Sequence, residues 1–509
     1  MYLRIEHSFS ISVSVSENSY FMKPFYLFIL LVCFQDIKMT GQHVRAETNS
    51  GTVPVTTLDF RTAVNLMIQN NSAIKAAEMN TSLAKRQRQL INASWYPTIA
   101  MTGTYTIMSE KIGVSQEYAS LLEPLKEEYQ NTFLIPDIIN YISNSLGDLK
   151  FDVPITDDDF GSIDLEVAYP VFTGIKRIYA NKLAKSNESL SEINKESIGS
   201  AKYLELANIY FSLSLTEAMI KVLNETYDMT KNHYSQALKM EKTGMFDKAE
   251  RLIVKVSLDE SDRNLKSAEN QASVLRNALS KIIGMPSSQY ENNSGSSPIL
   301  STPLFFNEQY PQLEWFKDMM YKNAYIFRQS DLHDDISKTT LNMSRSNYSP
   351  VISIFGKQTI TSYQVPKNIV PNTIVGVNLA WNIFDGLARE RNIQITKIES
   401  EIISETQQEL KNELEITVNE WHANLRQAYI NAIDLKSSLE LAEEVYKIRK
   451  KAFSEDLATS QQVLDALNLL NKTKLLLLTT YFEYDIALAN LCCLCGIPEY
   501  FESYLNDEQ

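Results

Sequence analysis

The chain has 509 residues and a formal net charge of −14, so it lacks the basic surplus a nucleic-acid partner would need. Length alone would allow roughly two to four domains. Only 15 glycines and 15 prolines interrupt it, which favours a mainly helical protein.

In chain order, the first element is a targeting segment. Lys23 precedes the apolar run Phe25 to Phe34, which is too short for a membrane-spanning helix of about 20 residues. A basic residue followed by such a run is the pattern of a secretory signal, so residues 1–46 read as a signal peptide ending near Val44-Arg45-Ala46. Met22 offers a second start, which would make 1–21 an extension. Cys33 could be read as a lipoprotein cysteine, although Val32 before it fits poorly.

A first repeat is expected over 56–284. Leu58, Ala63, Leu66, Ile74, Ala77 and Leu83 recur at helical spacing, predicting helices within 58–96 with a break at Asn70-Asn71. Tyr96-Pro97 ends them, because a residue before proline is pushed out of the α region. Alternation predicts strands at 98–108 and 162–172, with Ile163, Leu165, Val167, Tyr169 and Val171 on one face. The connection from about 109 to 160 contains helix-like Tyr118–Tyr129 and the acidic run Asp157-Asp158-Asp159. Long helices follow at 175–243 and 246–283, reversing around Gly244-Met245-Phe246.

Residues 285–312 read as a linker. A second repeat covers 313–496, with helices at 313–349, strands at 351–362 and 373–384, and long helices at 387–454 and 458–494. Residues 497–509 read as a tail. Leu414, Val418, Trp421, Leu425, Ala428, Ala432, Leu435, Leu439, Ala442, Tyr446, Arg449 and Phe453 step 4-3-4-3. That is the heptad pattern of a coiled coil.

The two repeats are in register. Pro170-Val171-Phe172-Thr173-Gly174 is answered by Asn382-Ile383-Phe384-Asp385-Gly386, and Gly284-Met285-Pro286 by Gly496-Ile497-Pro498. Both glycine pairs are separated by 212 positions. A constant offset over so long a stretch means two copies of one unit. Each strand is about ten residues long and apolar on one face, as in a tilted membrane strand. A soluble sandwich strand shows the same alternation, and the strands alone do not choose.

Four strands cannot close a membrane barrel, for which about eight is the minimum. Open edges cannot face lipid. Several chains must therefore share a barrel: two would give a filled eight-stranded one, three a twelve-stranded channel. Helices of about 100 Å cannot lie within a bilayer about 30 Å thick and must project into water.

These motifs, in this order and duplicated, resemble the TolC-type outer membrane factor family over roughly residues 56–500. The resemblance implies a mainly α fold with a β-barrel contribution. Three chains would form a 12-stranded barrel in the outer membrane of a Gram-negative bacterium and a 12-helix α-barrel through the periplasm. It also implies a homotrimer in contact with outer-membrane lipid, which would work with a periplasmic adaptor and an inner-membrane pump as the exit channel of an efflux system. Type I protein secretion is the alternative within that class; a soluble periplasmic coiled-coil scaffold is the alternative outside it.

The family narrows its periplasmic mouth with an Asp-Val-Leu-Asp run, which here reads Gln462-Val463-Leu464-Asp465. Asp465 matches the second acid and Gln462 departs from the first. An acidic ring at Asp465 would favour cations; otherwise it is an ordinary helix-surface carboxylate. Gly244, Met245, Asp456 and Leu457 resemble the family's adaptor-contacting tips. Pro170, Gly174, Asn382 and Gly386 mark the barrel-to-helix junctions.

No enzyme chemistry is expected, nor any cofactor or metal. Asp331-Leu332-His333-Asp334-Asp335 looks ligand-like, but neighbours one and two apart on a helix do not converge. Cys492, Cys493 and Cys495 read as buried small side chains rather than a redox or metal site.

Overall fold

The computed structural model describes residues 57–109, 113–117, 150–154, 159–244, 247–284, 299–307, 309–364, 371–455 and 457–505. The expected signal segment, Tyr118–Tyr129, Asp157, Asp158, Met245, Phe246 and Asp456 lie outside these residues.

The strands are β1 (Thr57–Leu58), β2 (Thr98–Ile107), β3 (Gly113–Glu117), β4 (Lys150–Pro154), β5 (Asp159–Phe172), β6 (Ile299–Leu300), β7 (Val351–Tyr363) and β8 (Thr373–Ala380). The helices are α1 (Phe60–Asn70), α2 (Ser72–Ala93), α3 (Lys176–Lys242), α4 (Lys248–Ile282) and α5 (Leu313–Asn323). They continue with α6 (Tyr325–Arg345), α7 (Ala388–Ser454), α8 (Ser460–Leu494) and α9 (Pro498–Tyr504).

The duplication is visible in the backbone. Helices α3 and α7 both have 67 residues, and α4 and α8 both have 35. In each pair the second-repeat helix starts 212 positions after its first-repeat counterpart. The same left-handed backbone recurs at Gly174 and Gly386, and again at Gly284 and Gly496. At Gly284 an added Cβ would stand 2.5 Å from the Asn70 Cβ, and at Gly496 it would run into the Asn323 carbonyl. Both helix ends thus need glycine for its positive φ and for close approach to the end of a short helix.

The long helices pair as antiparallel hairpins: α4 packs along α3 and α8 along α7, while α8 also packs on α3. Along α7 the heptad face holds buried Val418, Leu425, Ala428, Ala432, Ala442 and Phe453, while Arg449 is exposed. The main core lies where the middle of α3 meets the C-terminal part of α8. Phe60, Tyr210, Phe211, Phe305, Tyr484 and Phe501 are all buried there. Phe60 meets Tyr210 edge-on at 5.4 Å and Phe501 at 5.8 Å. The Tyr210 hydroxyl donates to the Leu58 carbonyl at 2.7 Å and accepts from the Thr302 N–H at 3.2 Å. The C-terminal stretch of α8, apolar enough by composition to cross a membrane, is buried here from Tyr484 to Cys493.

The structure departs from the sequence expectations in four places. The sequence locates no break within the helices expected at 313–349; it falls at Ala324, which is buried and extended in ψ. The counterpart break in the first repeat is at Asn71, whose side chain caps α2 and donates to the Ile282 carbonyl. Strand β8 stops at Ala380 rather than 384, because it pairs with β7 and Ala380 already faces Val351, the first residue of β7. A short pair, β3 with β4, lies within the connection between β2 and β5. The expected tail contains α9, whose Phe501 is fully buried.

Candidate functional site

The four main strands form one antiparallel sheet in the order β2-β5-β7-β8. Its register places Ile99, Met101, Val167, Ile354 and Val377 on one face. Several of these are largely exposed, Met101 at 71% and Val377 at 68%. The opposite face carries the charged residues, together with Phe355 and Ile374. There Lys357 Nζ lies 2.8 Å from Asp164 and 3.9 Å from Glu166. Asp164 also accepts from Thr359 at 2.6 Å and Ser162 at 2.7 Å, and Glu166 accepts from Thr102 at 3.4 Å. Strands β2 and β8 each have a neighbour on one side only, so both sheet edges are open.

The sheet passes into the long helices through two matching junctions. Gly174 and Ile175 are both left-handed (φ 64° and 69°), as are Gly386 and Leu387 (φ 70° and 69°). Two such residues in a row turn the chain out of the sheet. A Cβ on Gly174 would meet the Ser349 Cβ at 2.5 Å, whereas around Gly386 there is open space. Pro170 lies beyond the first residue of β2 and faces only Ser353 of β7, where its missing N–H costs least. Asn382 lies past the end of β8.

Each junction also has an arginine stacked on an aromatic ring, which the sequence reading missed. The Arg177 guanidinium lies 4.8 Å over Trp95 and donates to the Ser94 carbonyl at 3.1 Å. The Arg389 guanidinium lies 4.7 Å over Tyr348, donates to the Ile383 carbonyl at 2.8 Å and pairs with Asp385 at 3.0 Å. The available signal was the repeated Gly-x-x-Arg after each strand, with an aromatic two residues before the matching proline.

At the far end of the helices, Asp465 is exposed and accepts from Gln461 at 2.7 Å. Gln462 has a different task. Its Oε1 accepts the Thr459 N–H at 3.2 Å, and Thr459 Oγ1 accepts the Gln462 N–H at 3.3 Å. This capping box starts α8. Gly244 (φ 79°) ends the α3 turn in open space, and Leu457 is 75% exposed. Among the described residues of one chain they form no enclosed site.

The other chemistry-bearing residues are paired or packed. Asp334 pairs with Lys338, and Asp335 with Lys182 at 3.4 Å. Cys492, Cys493 and Cys495 are buried, and burial pushes the thiols of Cys493 and Cys495 up to about 12. They are therefore poor nucleophiles. Among the described residues no His, Cys, Asp or Glu group is arranged to hold a metal ion.

No protein-family profile and no curated protein matches the sequence. Solved structures do match. The outer membrane protein VceC from Vibrio cholerae has a TM-score of 0.66 at 13% identity, covering 86% of this chain and 96% of that one. The CmeC outer membrane channel of Campylobacter jejuni gives 0.64 at 13%, covering 88% and 90%. The open-state MtrE outer membrane channel of Neisseria gonorrhoeae gives 0.59 at 13%, covering 86% and 89%. The chain has the fold of these outer-membrane channels, the TolC-type outer membrane factor fold.

Proposed function

We propose that three copies of this chain form an outer-membrane exit channel that passively conducts small molecules delivered by an inner-membrane pump and a periplasmic adaptor. The observation that carries this reading is the sheet: one face apolar, the other charged, both edges open, and continuous with 67-residue helices. In a bilayer those edges must be paired, and β8 of one copy can pair with β2 of the next to close twelve strands. The apolar face then meets lipid, and Lys357, Asp164 and Glu166 line the lumen.

The helices support the same assembly. Met79, Leu83 and Leu90 on α2, and Ile395, Ile398 and Ile402 on α7, are each more than half exposed in the single chain. Such stripes at helical spacing call for a partner, and a neighbouring copy supplies one. Three Asp465 carboxylates would then face one another at the periplasmic mouth and favour cations. The turns carrying Gly244, Met245, Asp456 and Leu457 would meet the adaptor. The chain makes and breaks no covalent bond in this role.

Planar-bilayer recording of the purified protein tests the reading. It should give stepwise conductance that prefers cations. Absence of conductance from correctly folded, bilayer-inserted protein contradicts it.

A further inference from the structure

Near the helix-turn end, a buried histidine lies where the two helix hairpins meet. His233 of α3 is only 6% exposed, and its Nε2 has no hydrogen-bond partner among the described residues. The ring meets Phe453, in the last turn of α7, edge-on at 4.7 Å. The backbone of Ser460, the first residue of α8, is within hydrogen-bond reach of the ring. Ser460 is itself buried, and its hydroxyl is likewise without a partner. His233 therefore sits between the first hairpin and the turn of the second. Close by in the helices, Ala237, Val254 and Leu464 form a small apolar cluster with Tyr234 against it.

We infer that His233 is an acid-sensitive latch: neutral, it packs the α7–α8 turn against α3, and protonated, it releases that turn. The consequence for conductance rests on the channel reading; the movement does not.

A charged imidazole here would have the Ser460 backbone to bond but no counter-charge. Of the charged groups on the surrounding elements, Lys231 lies 5.6 Å over Tyr227, and Glu241 pairs with Arg251 of α4 at 2.6 Å. Lys255 of α4 pairs with Asp259 at 2.6 Å, Lys450 of α7 lies 5.9 Å over Tyr446, and Asp465 of α8 accepts from Gln461 at 2.7 Å. Arg449 and Lys451 of α7 are exposed, as is Glu455 in the turn that follows Phe453. None of these acts on the ring. Burial lowers its pKa below the ordinary 6.5, opposed only by the Ser460 backbone. Desolvation without a counter-charge disfavours the charged form.

The direction of the switch follows. In the packed arrangement the pKa lies below 6.5; once the turn moves away, the ring is solvated and titrates normally. The packed arrangement thus has its full stability above that ordinary value and loses it as pH falls. Each unit by which packing lowers the pKa shifts the packed-to-released ratio by up to about tenfold. Three latches in one assembly would make the response steeper.

The test uses the full chain in detergent or bilayer, with spin labels at Lys242 and Leu457, one on each turn. Acidification from pH 7.5 to 5.5 should lengthen the label-to-label distance and raise conductance together. His233→Phe, which cannot take a proton, should abolish both responses. His233→Gln should do the same and serves if the phenylalanine variant does not fold. An unchanged distance in the native protein, or the same lengthening in both variants, overturns the latch. A pH-dependent distance without any conductance leaves the latch standing and contradicts the channel reading instead.

Discussion

Glycine has little space at the two helix ends and ample space at the second sheet-to-helix junction. Gly284→Ala and Gly496→Ala combine a left-handed backbone with collision against Asn70 and Asn323, whereas Gly386→Ala meets open space. The backbone penalty alone is about 1–2 kcal/mol. Thermal unfolding should therefore rank Gly496→Ala and Gly284→Ala as clearly more damaging than Gly386→Ala; equal shifts would argue against the packing account. A second comparison separates the residues of the Gln-Val-Leu-Asp run. Gln462→Ala removes half of a capping box and should cost roughly 1 kcal/mol, leaving ion preference intact. Asp465→Asn should keep stability and reduce cation preference in bilayer reversal potentials. The sequence identified Asp465 by resemblance, but any ring it forms exists only between copies. It did not identify Arg177 or Arg389, because their ring partners are far away in the chain and meet them only after folding.

The long helices were legible because proline-free, glycine-poor spans and heptads are local signals, and the repeat fixed their ends twice over. The strands were legible by alternation. Three ends were not, for a shared reason: a neighbour sets them. Strand β8 stops where β7 begins, Ala324 breaks a helix without glycine or proline, and α9 is held by the aromatic core rather than by its own seven residues. Phe501 packs against Phe60, Phe211 and Phe305 at 5.7–5.8 Å. Phe501→Ala should thus cost about 3–5 kcal/mol, read as a lowered denaturant midpoint. A loss below 1 kcal/mol would show that α9 is a loosely attached tail.

At the scale of the molecule, the apolar face of the sheet is left largely exposed among the described residues, and the proposed assembly would give it lipid. Val377→Lys puts a charge on that face and should cost up to about 4 kcal/mol of bilayer insertion if the residue lies near the midplane. Refolding into vesicles would report this as a lower inserted fraction, and an unaffected yield would place the face away from lipid. In the proposed assembly one chain supplies a third of a barrel. Its most direct test is the mass of the unheated, detergent-extracted particle after subtracting bound detergent. The account predicts three chains; a mass of one or two chains would contradict it.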